Sequence, residues 1–342
     1  MAVALDTASW KSETLTRALM ARGDCNTLSE LIMLREKGEK STKIDQYYES
    51  RRQRDTSQVD PMSYIVTFCN ALRNMDQQMR FIHPKRFLDL GCAPGGYATY
   101  ILRKIPGATG IGITIPVDVG GPGVHIPSDL RSRFAIYVAD LMGYDLAPLI
   151  PKPSSPAQTL FPLPVESASM DLVICDARWV KHPDNLQRPW NWTRLLIAQL
   201  LIALHGVAQG GTILLRLSHV ERTISGRIML AMCRIAALVR CVKSKIFQGT
   251  RSYFYVLIQK IDRRSEQFKK LIIALEKLWY TMTFEGEEGY GRDITEIDEA
   301  TITSDEELMG EEGLSKVVQL GKPVWEIQCR ALADFLRKSG AL

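Results

Sequence analysis

The sequence predicts an α/β chain built on a doubly wound, mostly parallel sheet, with helical additions at both ends. Three observations predict it. Short apolar runs alternate with helical stretches, which calls for right-handed crossovers between parallel strands. The first strand-like run, "RFLDLGC", passes directly into a glycine-rich turn and an apolar helix. At 342 residues the chain also exceeds the usual single-core size, so one α/β domain of about 200 residues with additions is expected.

Residues 1–80 show helical spacing with breaks at "RGDCN", "EKGEKS" and "SQVDP" and no strand-like alternation, so they predict a helical extension. Its last helix, near Pro61 to Arg80, leads into the first strand. The α/β domain is expected over 81–262. After "RFLDLGC", the stretch "GGYATYILRKIPGA" starts a helix that stops at Gly107. "TGIGITIP", "FAIYVADL" and "MDLVICDA" read as the second, third and fourth strands. Six prolines in "PLIPKPSSPAQTLFPLPVESAS" cannot continue a sheet and predict a surface loop before the fourth strand. "TRLLIAQLLIALHGVAQGG" reads as a helix ended by paired glycines, followed by the strand "TILLRLS". "RIMLAMCRIAALV" reads as another helix, and "CVKSKIF" and "SYFYVLIQK" as the final strands.

Over 263–342 the expectation is a helical extension: a helix to about Met282, an acidic segment at 284–312, and an amphipathic helix from about Pro323 to Arg337. The acidic segment holds twelve Asp and Glu against one Arg, a net of −11, and has few large apolar residues, so a loose structure is expected. Elsewhere the chain carries 42 basic and 26 acidic residues. A basic body favours a polyanionic partner such as RNA, although lysines serving only solubility would give the same balance. One use for the acidic segment is to fold over a basic face and compete with RNA.

No apolar run reaches the roughly 20 residues that span a bilayer, and "MAVALDTASWKSE" lacks a basic segment followed by an apolar one, so neither membrane insertion nor secretion is expected. The seven cysteines are scattered and form no CxxC pair, which fits reduced thiols in an intracellular protein, cytoplasmic or nuclear, and gives no metal site.

The turn in "FLDLGCAPGGYATYIL" places backbone N–H groups and the positive end of a helix above the sheet edge, where nucleotide-like ligands dock. Gly91, Gly95 and Gly96 permit conformations or approaches that a β-carbon would block. "GCAPGG" does not have the GxGxxG spacing of a dinucleotide site, and no Gly-Lys-Ser/Thr follows as in a P-loop.

This segment resembles motif I of the FtsJ-type methyltransferases, a D-L-G-x-x-P-G-G core. Together with "GATGIGITIPVDVGG" and "LLIAQLLIAL" before "QGGTILLRL", it is most similar to fungal FtsJ-domain proteins over about residues 45–260. The resemblance implies a Rossmann-like methyltransferase sheet that binds S-adenosylmethionine. It would place Asp89, Gly91, Cys92, Ala93, Pro94, Gly95, Gly96 and Tyr97 around the methionine end of the cofactor. Asp140 in "YVADL" would meet the adenine amino group. The family's second strand normally ends in an acid that grips the ribose hydroxyls, and here Thr114 stands instead.

The family methylates RNA ribose 2′-hydroxyls with a Lys-Asp-Lys-Glu set. The Asp maps to Asp176, after the fourth strand. The second Lys maps to Arg216 in "GGTILLRLS", and a guanidinium stays protonated, so it cannot act as a base. Arg216 could hold a substrate oxygen or simply pair with Asp176. The Glu maps to Tyr253, after Arg251 and Ser252, and counting back through "PMSYIVTFCNAL" suggests Ser63 for the first Lys. Lys181 and His182 could supply a titrating group on the following loop. Trp179, Trp190 and Trp192, interleaved with Arg178, Lys181, Arg188 and Arg194, could stack on RNA or pack a helix cap. The expected activity is S-adenosylmethionine-dependent 2′-O-methylation of RNA. The alternative is a pseudo-methyltransferase that binds RNA or a protein partner through a decayed set, and the same fold could also methylate a small molecule or protein.

Overall fold

Runs such as Phe87–Leu90 and Leu172–Cys175 are buried at every position and apolar except at Asp89, as strands covered on both faces largely are. In the computed structural model, which describes residues 13–55, 61–153, 160–180, 188–247, 249–286 and 289–342, seven strands among the described residues form one sheet. They are β1 (Arg86–Leu90), β2 (Thr109–Thr114), β3 (Phe134–Val138), β4 (Met170–Cys175), β5 (Val207–Ser218), β6 (Ala236–Val242) and β7 (Tyr253–Ile261). The order is β3-β2-β1-β4-β5-β7-β6. Strands β1 to β5 pair in parallel, and β7 runs antiparallel between β5 and β6.

Alternate residues of these strands face two cores. Leu88, Leu90, Val173, Cys175, Ile213 and Leu215 pack on one side, under α6 (Asn191–Gly206), α7 (Thr223–Ile235) and α8 (Glu266–Phe284). Phe87, Leu172, Ile174, Leu214 and Leu257 pack on the other, under α4 (Pro61–Met79) and α5 (Gly96–Lys104). Each such buried side chain contributes on the order of 1.5–3 kcal/mol. Helices α1 (Thr14–Met20), α2 (Asn26–Glu39) and α3 (Thr42–Asp55) precede this body, and α9 (Glu296–Glu299), α10 (Asp305–Met309) and α11 (Glu311–Lys338) follow it.

Three element boundaries differ from expectation. Helix α6 stops at Gly206, not at the paired glycines, because Val207 already pairs with Met170. The pairing then shifts, so that Leu172 meets Thr212, and Gly210 takes φ +76° within the irregularity. The run "RIMLAMCRIAALV" is helical only to Ile235, and β6 begins at Ala236. The last helix starts at Glu311, twelve residues before the expected Pro323. The buried stripe Val317, Leu320, Val324 and Trp325 runs past the proline, and its packing outweighs the lost N–H.

The acidic segment is not loose where it is described. Arg227 of α7 donates to the Thr303 carbonyl and to Asp305, and Arg234 pairs with Glu307 at 2.5 Å. Arg292 bridges Glu285 and Asp298, and Ile302 and Leu308 are buried. Several of its carboxylates are thus matched to particular arginines, which composition alone does not reveal. Among the described residues no helix is long and apolar enough to cross a membrane, and no cluster of His, Cys, Asp and Glu could hold a metal.

Candidate active site

The sheet order reverses between β1 and β4, and the crevice beyond the strand ends at such a reversal is the natural ligand site. Here it is a cleft of about 700 Å³. Register decides which side chains meet there. Leu90 lies opposite both Ile113 and Cys175, Cys175 lies opposite Leu215, and Arg216 lies opposite Tyr255. Residues just beyond these partners, Gly91, Thr114 and Asp176, therefore stand level with Arg216 and Tyr255.

The turn after β1 is packed tightly against the protein itself. A β-carbon on Gly96 would come within 2.5 Å of Phe68 Cβ and 2.8 Å of the Ile65 carbonyl, so the glycine allows α4 to lie across the start of α5. A β-carbon on Gly91 would strike the Ala177 backbone, and Gly91 takes φ +80°. The glycines expected to admit a ligand thus admit neighbouring backbone, and those contacts fix the floor of the cleft.

Asp89, Gly91, Cys92, Ala93, Pro94, Gly96, Tyr97, Thr114, Asp140 and Asp176 all line the cleft. Gly95, Arg216, Tyr253 and Ser63 do not. Gly95 instead caps α5 with φ +113°, and Ser63 is exposed on α4, whose Tyr64 and Phe68 reach the cleft. Lys181 and His182 lie outside the described residues.

Asp89 is buried, and among the described residues its Oδ2 has no hydrogen-bond partner. Burial, with the Asp176 charge adding to it, pushes its carboxyl up to about 8. Asp140 accepts from the Met142 amide at 2.9 Å through Oδ1. Between these carboxyls the wall is apolar, from Ile113, Ile115, Leu141, Met142 and Leu195.

Asp176 is held on several sides. Arg216 Nε pairs with Oδ1 at 2.7 Å, and the Tyr255 hydroxyl donates to the same oxygen at 3.1 Å. Arg216 Nη2 also donates to the Ala177 carbonyl at 3.1 Å, so this arginine pairs with Asp176. Among the described residues, Oδ2 accepts only from Arg178 Nη2, at 3.4 Å. Tyr97 and Tyr255 share a hydroxyl hydrogen bond of 2.7 Å. Tyr253 lies beside this group, with the Arg178, Arg216 and Lys243 cations 5.7, 5.3 and 5.4 Å from its ring centre. Burial lowers Lys243 to about 7, and its ammonium donates to the Arg251 and Tyr253 carbonyls.

Sequence reasoning missed Tyr255, although the register of β7 against Arg216 would have found it. The expected aromatic platform is largely structural. Trp190 donates to the Met282 carbonyl at 3.3 Å, Arg222 stacks on Trp192, and Arg194 is buried against the Met142 carbonyl. Arg188 stacks on Trp190 and Tyr290. Trp179 and Arg178 remain at the cleft.

The sheet order and the cleft define a methyltransferase-type Rossmann-like fold. The FtsJ-like methyltransferase family matches residues 71–261, more than half of the chain, and the chain belongs to that family. Among solved structures, a ribosomal RNA methyltransferase from Plasmodium falciparum is 17% identical, with a TM-score of 0.38, covering 56% of this chain and 94% of its own. The Haemonchus contortus phosphoethanolamine N-methyltransferase 1, solved with S-adenosylhomocysteine, is 12% identical, with a TM-score of 0.39, covering 71% and 54%. A search of curated proteins finds no match.

The family implies S-adenosylmethionine, and the cleft residues fit it. The buried Asp89 oxygen, unpartnered among the described residues, suits an ammonium group, the Asp140 carboxylate suits an amine donor, and the apolar wall of the cleft suits a flat ring. Thr114, the residue expected to meet the ribose, is buried at the end of β2 and lines the cleft, and its single hydroxyl would grip less than a carboxylate.

Proposed function

We propose that this chain is an S-adenosylmethionine-dependent methyltransferase acting on a ribose 2′-hydroxyl of RNA. The observation that carries the reading is Asp176, which stands in the same cleft as Asp89 and Asp140 with one carboxylate oxygen turned away from Arg216. The cofactor would be held by Asp89, the turn at Gly91–Gly96, Thr114 and Asp140, and it supplies an electrophilic methyl group when bound. Asp176 Oδ2 accepts the hydrogen of the substrate hydroxyl and takes its proton as the oxygen reacts. Arg216 and Tyr255 orient the carboxylate through Oδ1, and Arg216, permanently charged, takes no proton itself. The seven unpaired cysteines suit a reducing, intracellular compartment.

One observation favours the second reading, a binding protein without turnover: the arginine that replaces the family's lysine is engaged by Asp176 and the Ala177 carbonyl. Calorimetric titration with S-adenosylhomocysteine, followed by transfer of labelled methyl to total RNA, separates the two. Binding with transfer supports the enzyme. Asp176→Asn is then expected to bind the cofactor normally and to lose transfer by at least about 100-fold. Binding without transfer to any RNA sinks the enzymatic reading.

A further inference from the structure

Tyr253 stands where the family carries a glutamate, and the two side chains would treat a neighbouring arginine differently. A carboxylate engages guanidinium N–H groups directly, whereas an aromatic face attracts the cation and leaves those donors unused. Arg178 shows the second arrangement. Its guanidinium lies 5.2 Å from the Phe68 ring centre and 5.7 Å from that of Tyr253. Phe68 is itself fixed by edge-on contacts to Tyr97 at 5.8 Å and Phe247 at 5.6 Å. The side chain is 37% exposed and lines the cleft, and among the described residues its one hydrogen-bond acceptor is Asp176 Oδ2, at 3.4 Å. Arg216, also over the Tyr253 ring, differs in that its Nε is held by Asp176 at 2.7 Å and its Nη2 by the Ala177 carbonyl.

The acceptor end of the cleft is therefore lined by one carboxylate and one guanidinium, that of Arg178, with Arg216 behind the carboxylate. A fork of fixed donors suits a phosphate better than a point charge does. It stands beside the oxygen assigned to the substrate hydroxyl. We propose that Arg178, set between Phe68 and Tyr253, binds the RNA phosphodiester next to the reacting ribose and so fixes which hydroxyl meets Asp176. The proposal rests on the RNA reading above and adds the residue that recognises the strand. Tyr253 is then a positioning residue for Arg178, and the loss of the family's glutamate is what leaves the arginine's donors available.

The test is anisotropy of a labelled single-stranded RNA against salt concentration, with S-adenosylhomocysteine titrated in parallel. Arg178→Gln should weaken RNA binding about tenfold and reduce the salt slope by about 0.7, the share of one phosphate on a single strand. Tyr253→Leu, which removes no charge, should weaken it in the same direction, and Tyr253→Phe, which keeps the ring, should restore the affinity. Arg178→Lys should recover the slope but not the full affinity, and it serves if the glutamine variant fails to fold. Cofactor affinity should be unchanged throughout. If wild type binds RNA and both Arg178→Gln and Tyr253→Leu match it, the assignment of Arg178 falls and the RNA reading stands. If wild type binds S-adenosylhomocysteine but no RNA, the RNA reading falls and takes the assignment with it.

Discussion

Asp89 is the residue whose chemistry is most exposed to test. Its folded value of about 8 lies well above the ordinary carboxylate range, so below about pH 8 its carboxyl carries a proton until a ligand cation replaces it. The sign follows directly: this proton stabilises the fold fully at acid pH, and the contribution is lost as pH rises through about 8. A ligand ammonium needs the ionised form, so affinity for S-adenosylhomocysteine should rise from pH 6 to 8 and then level off, with proton release measurable by calorimetry in two buffers. Asp89→Asn should flatten the profile; a profile that stays steep would move the ammonium elsewhere. Asp140 and Asp176 were legible in the sequence because each comes just after an apolar strand, and Asp89 because it opens the glycine-turn motif. Arg178 was legible only as a basic residue near tryptophans, since its ring contacts come from α4 and β7, remote in the chain. Tyr255 needed the antiparallel register of β7, which no local pattern encodes.

At the scale of elements, the close approach of α4 to the start of α5 is the most demanding contact near the cleft. Gly96→Ala should cost about 1–3 kcal/mol by overpacking against Phe68 and Ile65, read as a lower midpoint in denaturant unfolding. Gly107→Ala, with nothing within 4 Å, is the control and should not lower it. Equal midpoints would mean that α4 shifts without cost. Strand positions were readable because the central strands are short, mostly apolar runs set between glycine, proline and polar breaks. Ends were less so: Gly210 and Gly211 looked like a helix stop and instead lie in an irregular strand pairing, and Pro323 looked like a helix start and lies inside α11. In both cases tertiary packing overrode a local breaker.

Across the whole molecule, Glu221 joins distant parts of the chain. It is fully buried, pairs with Arg35 of α2 at 2.5 Å, and accepts from Trp325 of α11 at 3.2 Å, while its carbonyl accepts from Thr16 of α1 at 2.9 Å. Burial, the largest single influence, would raise the carboxyl, but the Arg35 charge and hydrogen bond together with His219 and a backbone hydrogen bond outweigh it, and the value is lowered. Glu221→Ala leaves the Arg35 charge without this partner and should cost about 3–5 kcal/mol. Adding Arg35→Met should return part of that loss, as chemical denaturation of the single and double variants would show. Neither residue carries a motif, and the pairing of the first helices with the last had no signal in the sequence.

That pairing has a consequence for how the protein is made. Arg35 also donates to Gln328, 293 positions later. During synthesis the leading helices leave the ribosome long before the helix that covers them exists, since domains acquire structure in the order in which they emerge. Their apolar faces, Leu28, Leu31 and Ile32 among them, must wait in solution or in the grip of a chaperone until translation reaches α11. A stalled or shortened message would therefore release a chain that can shape its cleft and still be marked for disposal.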